Sequence, residues 1–213
     1  MKKFLLLPIL AITLFTSANG QDETEAAAAP TDPQVAIETS AGNFVIELFS
    51  GRAPLTVNNF LQYVNSGFYN GTVFHRIVEG FVVQGGGYDS DYQLKTTRPD
   101  IPNESGNGLN NRRGYVAMAR SGEPHSANSQ FYINLADNLP LDPRPTRWGY
   151  AVFGKVISGM EVVDEIGYRA TGAGPAPELV KDVPKEPIII TKVSVLSAAE
   201  RMKSVPDETP PTD

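Results

Sequence analysis

The chain has 213 residues, of which 41% are hydrophobic, 9% aromatic and 20% charged; this is enough for one sizeable core and excludes fibrous, collagen-like and wholly disordered chains. Its net charge of −6 argues against a nucleic-acid partner, whose phosphates want a basic surface. The absence of cysteine excludes a disulfide frame, a thiolate nucleophile, a Cys-ligated metal and a lipid anchor on a processed cysteine, so the fold must stand on its core alone.

In chain order, Met1 is followed by Lys2 and Lys3, an apolar run from Phe4 to Phe15, and then Thr16, Ser17, Ala18, Asn19 and Gly20. A basic start, an apolar stretch too short for a bilayer, and small residues one and three places before a cut make residues 1–20 a signal peptide cleaved after Gly20. No second run approaches membrane-spanning length, so an exported protein without a membrane span is expected. Residues 21–34 are Ala, Pro, Thr and acids, and residues 198–213 end in Pro210, Pro211, Thr212 and Asp213. Neither stretch has enough apolar surface to offset the entropy of ordering, so both are predicted to be disordered: an acidic Ala/Pro linker and a C-terminal tail that together hold most of the net acidity.

Residues 35–197 are predicted to form one domain dominated by strands, with no internal repeat. Val35, Ile37 and Thr39 alternate, Ala41-Gly42 offers a turn, and Phe44, Ile46 and Leu48 alternate again, which predicts a β-hairpin. Pro54 stands at a first helical position, and Val57, Phe60, Leu61 and Val64 follow at helical spacing before Gly67. Short apolar runs at 72–78, 80–84, 114–119, 129–135 and 150–156 read as strands. A second helix is predicted from a capping box, Ser158 with Glu161, through Val162, Val163 and Ile166, and Ile188 to Leu196 closes the chain as a strand. Seven or eight strands with two helices, and strands at both chain ends, point to an antiparallel sheet rolled into a barrel with helices over its openings.

The ordinary catalytic devices are missing. His75 and His125 are too few and too far apart for a zinc site, and no carboxylate cluster accompanies them, so no metal is expected. Gly85-Gly86-Gly87 runs into Tyr88 without the Lys of a phosphate loop and reads as a bulge or tight bend. No GxSxG elbow occurs, and Ser121 beside Gly122 reads as a turn. In Val73-Phe74-His75-Arg76-Ile77-Val78, alternation puts His75 on the face of Val73 and Ile77, where it reads as a hydrogen-bonded structural histidine rather than a general base. Arg76 falls with Phe74 and Val78; spacing leaves open whether it snorkels, pairs with a carboxylate such as Glu79, or has a chemical task.

Ala53-Pro54, Thr56-Val57, Asn59-Phe60-Leu61, Tyr63-Val64, Phe74-His75-Arg76-Ile77, Gly80-Phe81, Gln84-Gly85-Gly86, Arg113-Gly114, Met118-Ala119, Ser129-Gln130-Phe131 and Val152-Phe153-Gly154-Lys155-Val156 occur in an order that resembles the cyclophilin family of peptidyl-prolyl cis-trans isomerases. The resemblance spans about residues 35 to 196, and Ala117-Met118-Ala119-Arg120 with Gly149-Tyr150-Ala151-Val152-Phe153-Gly154 is similar to the bacterial exported branch, hence a periplasmic rather than extracellular location. It implies a closed antiparallel eight-stranded barrel capped by two α-helices, no cofactor, a monomer, and proline-containing unfolded or partly folded polypeptides as partners. Arg76 matches the catalytic arginine; Phe81, Val82, Gln84, Ala119, Arg120, Gln130, Tyr132, Leu141 and Tyr150 match positions that line the proline pocket or grip the peptide. Val82, Arg120, Tyr132 and Tyr150 depart from the eukaryotic pattern, and Pro140 stands where an aromatic residue is usual, which bears on inhibitor binding and substrate preference. The implied activity is rotation about X-Pro bonds in exported proteins, with a non-catalytic proline-peptide-binding or chaperone module as the alternative that Pro140 keeps open.

Overall fold

Strand alternation decides most of the architecture. The computed structural model describes residues 32–175 and 179–204; the expected signal peptide and nearly all of the expected linker lie outside these. Strands β1 (Gln34–Thr39) and β2 (Gly42–Leu48) form the expected hairpin, with Val35, Ile37, Phe44, Ile46 and Leu48 all buried. The turn is closed by Thr39, whose hydroxyl donates to the Gly42 carbonyl at 2.6 Å and accepts the Ala41 N–H at 3.0 Å. Helix α1 (Pro54–Asn65) starts on its proline and buries Val57, Phe60, Tyr63 and Val64.

Five strands follow at the expected places: β3 (Thr72–Val78), β4 (Val82–Asp89), β5 (Tyr115–Met118), β6 (Phe131–Asn134) and β7 (Val152–Ser158). After helix α2 (Met160–Gly167) come two short strands with no counterpart in the sequence reading, β8 (Thr171–Gly172) and β9 (Val183–Pro184), paired with each other. Strand β10 (Ile189–Val195) pairs with β1 and β3, and eight strands close a barrel in the order β1-β10-β3-β4-β6-β5-β7-β2, every pairing antiparallel.

Three expectations are corrected. Ser158 does not cap α2: it is the last residue of β7, paired with Val45, and the helix is entered through Gly159 at φ 79° with no side-chain cap. A Cβ at Gly159 would lie 2.5 Å from the Asn43 carbonyl, so the turn from strand to helix admits only glycine. The C-terminal segment is helical over α3 (Ala198–Ser204) rather than disordered from 198 onward. The signal is a capping box: the Ser197 hydroxyl and N–H both donate to the Glu200 carboxylate, at 2.6 and 2.8 Å. Residues 205–213 lie outside the described residues. The linker ends earlier than position 34, because Gln34 belongs to β1 and the Asp32 carboxylate accepts the Ser50 N–H at 3.0 Å.

Inside the barrel, Phe60, Tyr69, Phe131 and Phe153 meet with centroids 5.1–5.6 Å apart, so the interior is packed with side chains and holds no channel. On β4, β6, β5 and β7 the inward residues Val83, Ile133, Val116 and Phe153 alternate with outward Val82, Tyr132, Ala117 and Val152. Outward apolar side chains on four neighbouring strands need a cover, and this second cluster is the candidate site.

Candidate active site

The outward face of β4, β6, β5 and β7 is ringed by Phe81, Ala119, Leu141 and Tyr150, which pack around Val82, Tyr132, Ala117 and Val152. Above them opens a cavity of about 300 Å³ lined by Arg76, Phe81, Val82, Gln84, Ala119, Arg120, Tyr132, Leu141 and Tyr150. The sequence reading named all nine. The tenth, Gln130, lines an adjoining cavity of about 640 Å³ with Gln84, Ala119 and Arg120, together with Tyr88, Ser121, Ser126 and Asn128, which that reading missed.

Arg76 reaches the mouth from β3, with its side chain 36% exposed. Its Nη1 donates to Gln84 Oε1 at 3.2 Å, and Gln84 Nε2 donates onward to Gln130 Oε1 at 3.1 Å. The relay needs the glycines of β4: at Gly87 a Cβ would sit 2.5 Å from the Gln130 side chain, so its absence is what lets Gln130 lie against the strand. Arg76 does not pair with Glu79; the carboxylate facing it is Asp182, 3.8 Å from Nε.

The alternation expected in β3 fails at a bulge. Register shifts on either side of Phe74 return Ile77 to the barrel core beside Phe74, whereas His75 faces Tyr88, its ring centroid 4.6 Å away, in the cluster that contains Val73. His75 therefore shares a face with Val73 but not with Ile77. It is buried as expected, yet Nδ1 has no hydrogen-bond partner among the described residues, and burial pulls its pKa down to about 4. It is neutral at pH 7 and does not line the cavity.

A buried polar network supports the floor. The Tyr132 hydroxyl donates to Asn111 Oδ1 at 2.7 Å, and burial raises its pKa far above the usual phenol value, keeping it a neutral donor. Asn111 donates its backbone N–H and Nδ2 to Asp142 Oδ1 at 2.7 and 2.9 Å. Asn138 Nδ2 donates to the Phe81 carbonyl and to Asn134 Oδ1 at 2.9 and 2.8 Å. Pocket wall and pocket floor thus share one set of bonds, from residues whose polar character alone gave no signal of a site.

Arg120 lies over the Tyr150 ring at 4.6 Å, and its N–H groups donate to the carbonyls of Gly149, Ser121 and Trp148 at 3.2, 2.9 and 3.0 Å. Most of its donors are thus engaged in holding the rim. Pro140 stands in a single 3₁₀ turn (Leu139–Leu141), and Trp148, whose ring lies 5.0 Å from that of His125, does not line the cavity. Among the described residues no three His, Asp or Glu side chains gather to hold a metal, and no helix is long and apolar enough to cross a membrane.

Comparisons with known proteins bear on this geometry. A model of the family described as cyclophilin type peptidyl-prolyl cis-trans isomerase/CLD matches residues 34–195. The chain is 47% identical over 192 residues to peptidyl-prolyl cis-trans isomerase A of Dickeya dadantii, covering 90% of this chain and 95% of that protein. It is 48% identical over 164 residues to peptidyl-prolyl cis-trans isomerase B of Escherichia coli, covering 76% and 98%. A crystal structure of a cyclophilin type peptidyl-prolyl cis-trans isomerase of Cryptosporidium parvum superposes with a TM-score of 0.63 at 28% identity, over 78% of this chain and 98% of that one. A second crystal structure of that protein, in the presence of the dipeptide Ala-Pro, gives 0.62 at 28% identity, over 77% and 99%.

Proposed function

The chain belongs to the cyclophilin family of peptidyl-prolyl cis-trans isomerases, and on that premise we propose that Arg76 is its catalytic residue and that the cavity beside it holds the substrate's proline ring. The activity is rotation about X-Pro peptide bonds; the relatives' shared name favours it over the non-catalytic alternative. No bond breaks in this reaction. Its barrier, about 18–20 kcal/mol, is the amide resonance lost as the bond twists. In the twisted state the proline nitrogen regains its lone pair, so a fixed N–H donor binds it better there than in the planar ground state.

The observation that carries this reading is the disposition of the guanidinium. Nη1 is tied to Gln84, while Nη2 makes no protein hydrogen bond among the described residues, in a cavity whose other walls include Phe81, Val82, Tyr132 and Leu141. Phe81, Val82, Tyr132 and Leu141 exclude water around the ring, and Gln84 and Gln130 offer amides to the peptide backbone. The presence of Ala-Pro with the Cryptosporidium parvum relative supports proline-containing peptides as substrates. Because the cavity is built within one chain, a monomer suffices. Unfolded or partly folded exported proteins are the clients in this reading, on the strength of the leader.

The test is Arg76→Ala in a protease-coupled isomerisation assay. Turnover falls by roughly 10²- to 10³-fold, the loss that follows removal of one transition-state donor, while circular dichroism is unchanged. Wild-type activity in a folded Arg76→Ala protein would sink the assignment.

A further inference from the structure

We propose that Asp182 is a positioning residue for the isomerase reaction: its carboxylate holds the Arg76 guanidinium with one N–H edge turned to the cavity. The inference rests on the reading of Arg76 given above.

Asp182 comes from the far end of the domain. It immediately precedes β9, and its carbonyl accepts the Ile77 N–H at 2.7 Å, next to Arg76 in β3. On its other side Val183 is buried with Val73, Tyr88 and Leu179 and pairs with Gly172. The Asp182 backbone is thus fixed at both ends relative to β3. That placement brings Oδ2 to 3.8 Å from Arg76 Nε, with the Asp side chain 25% exposed. The carboxylate thus faces Nε as an ion pair at 3.8 Å and the Gln84 amide oxygen accepts from Nη1 at 3.2 Å, so the rigid planar group is held from two sides and Nη2 is the nitrogen left without a protein partner among the described residues.

Stability alone does not account for a carboxylate at this position. A partly exposed pair at 3.8 Å is the kind of ion pair that contributes little to folding. Asp182 also stands at φ 64°, one of only two non-glycine residues with positive φ among those described. Glycine or asparagine meets that backbone demand with less strain. What aspartate adds is its charge, and the cation nearest to it in an ion pair is Arg76.

The experiment uses Asp182→Asn and Asp182→Gly in the full-length protein, each also combined with Arg76→Ala, with kcat and KM measured separately and the melting midpoint recorded. Expected for both single variants is an unchanged or higher midpoint, a kcat lowered about 3- to 10-fold and a KM within twofold of wild type. On the Arg76→Ala background the same substitutions cause no further loss, because the group they position is gone. In ¹⁵N spectra the Arg76 Nε–H signal shifts or broadens in Asp182→Asn. A kcat within twofold of wild type in both single variants overturns the proposal while leaving Arg76 as the catalytic group. An equal loss on both backgrounds shows a merely structural role and overturns it too. Wild-type activity in Arg76→Ala would instead remove the reading on which it rests.

Discussion

Buried at 3% exposure beside Tyr88, the imidazole of His75 gives the domain a definite response to acid. Burial lowers its pKa from 6.5 to about 4, with the nearby Arg76 charge adding to the effect. Between those values the unfolded chain takes up a proton that the folded one refuses, so stability present above pH 6.5 is lost progressively as the pH falls toward 4. At about 1.4 kcal/mol per pH unit, the loss amounts to about 3 kcal/mol. Urea unfolding at pH 7 and pH 4.5 should show it, and His75→Gln should flatten the difference. Catalysis should be indifferent to pH near neutrality: no proposed role titrates there, so turnover stays level between about pH 6 and 8. A clear inflection in that interval that disappears in folded His75→Gln would mean that the imidazole takes part in the chemistry after all.

Strand β4 carries three successive glycines in the middle of a closed barrel, where strand propensity disfavours them. Each has a different neighbour. A Cβ at Gly86 would lie 2.9 and 3.0 Å from the rings of Tyr69 and Phe131, and its φ is 83°. Both penalties fall on parts of the core that cannot move, so Gly86→Ala should destabilise by about 2–4 kcal/mol in denaturant titrations. At Gly87 the obstacle is the flexible Gln130 side chain, which can yield. Gly87→Ala should therefore cost less than about 1 kcal/mol of stability yet lower kcat/KM several-fold, because Gln130 leaves its bond to Gln84. Equal losses of stability in the two variants, or an unchanged kcat/KM in Gly87→Ala, would overturn this distinction. The bulge in β3 belongs to the same scale: it turns His75 toward Tyr88, while Arg76 is left opposite Gln84.

At the scale of the whole molecule, β1 and β10 pair and so bring the two ends of the domain together. Helix α3 continues from that junction, with Arg201 Nε donating to the Leu196 carbonyl at 3.1 Å. The leader predicts a mature protein beginning at Gln21 in the periplasm. Intact-mass analysis of protein from the cell envelope checks this, and uncleaved Met1 in the cytoplasm would refute it. Much of the design was already legible in residue order. The hairpin, α1, five middle strands and the final strand follow from periodicities of two and 3.6, which are properties of neighbouring residues. Arg76 and the nine positions proposed to bind substrate were readable through their resemblance to a family pattern, because the motif residues keep their order along the chain. Periodicity could not place the β3 bulge, since that depends on register against β4. Nor could it bring Asp182 to Arg76 or Asp142 and Asn111 beneath Tyr132, because segments far apart in sequence become neighbours only when the barrel closes. The residue types of the groove were thus set locally, whereas the direction in which each side chain points was decided by strand pairing and loop packing.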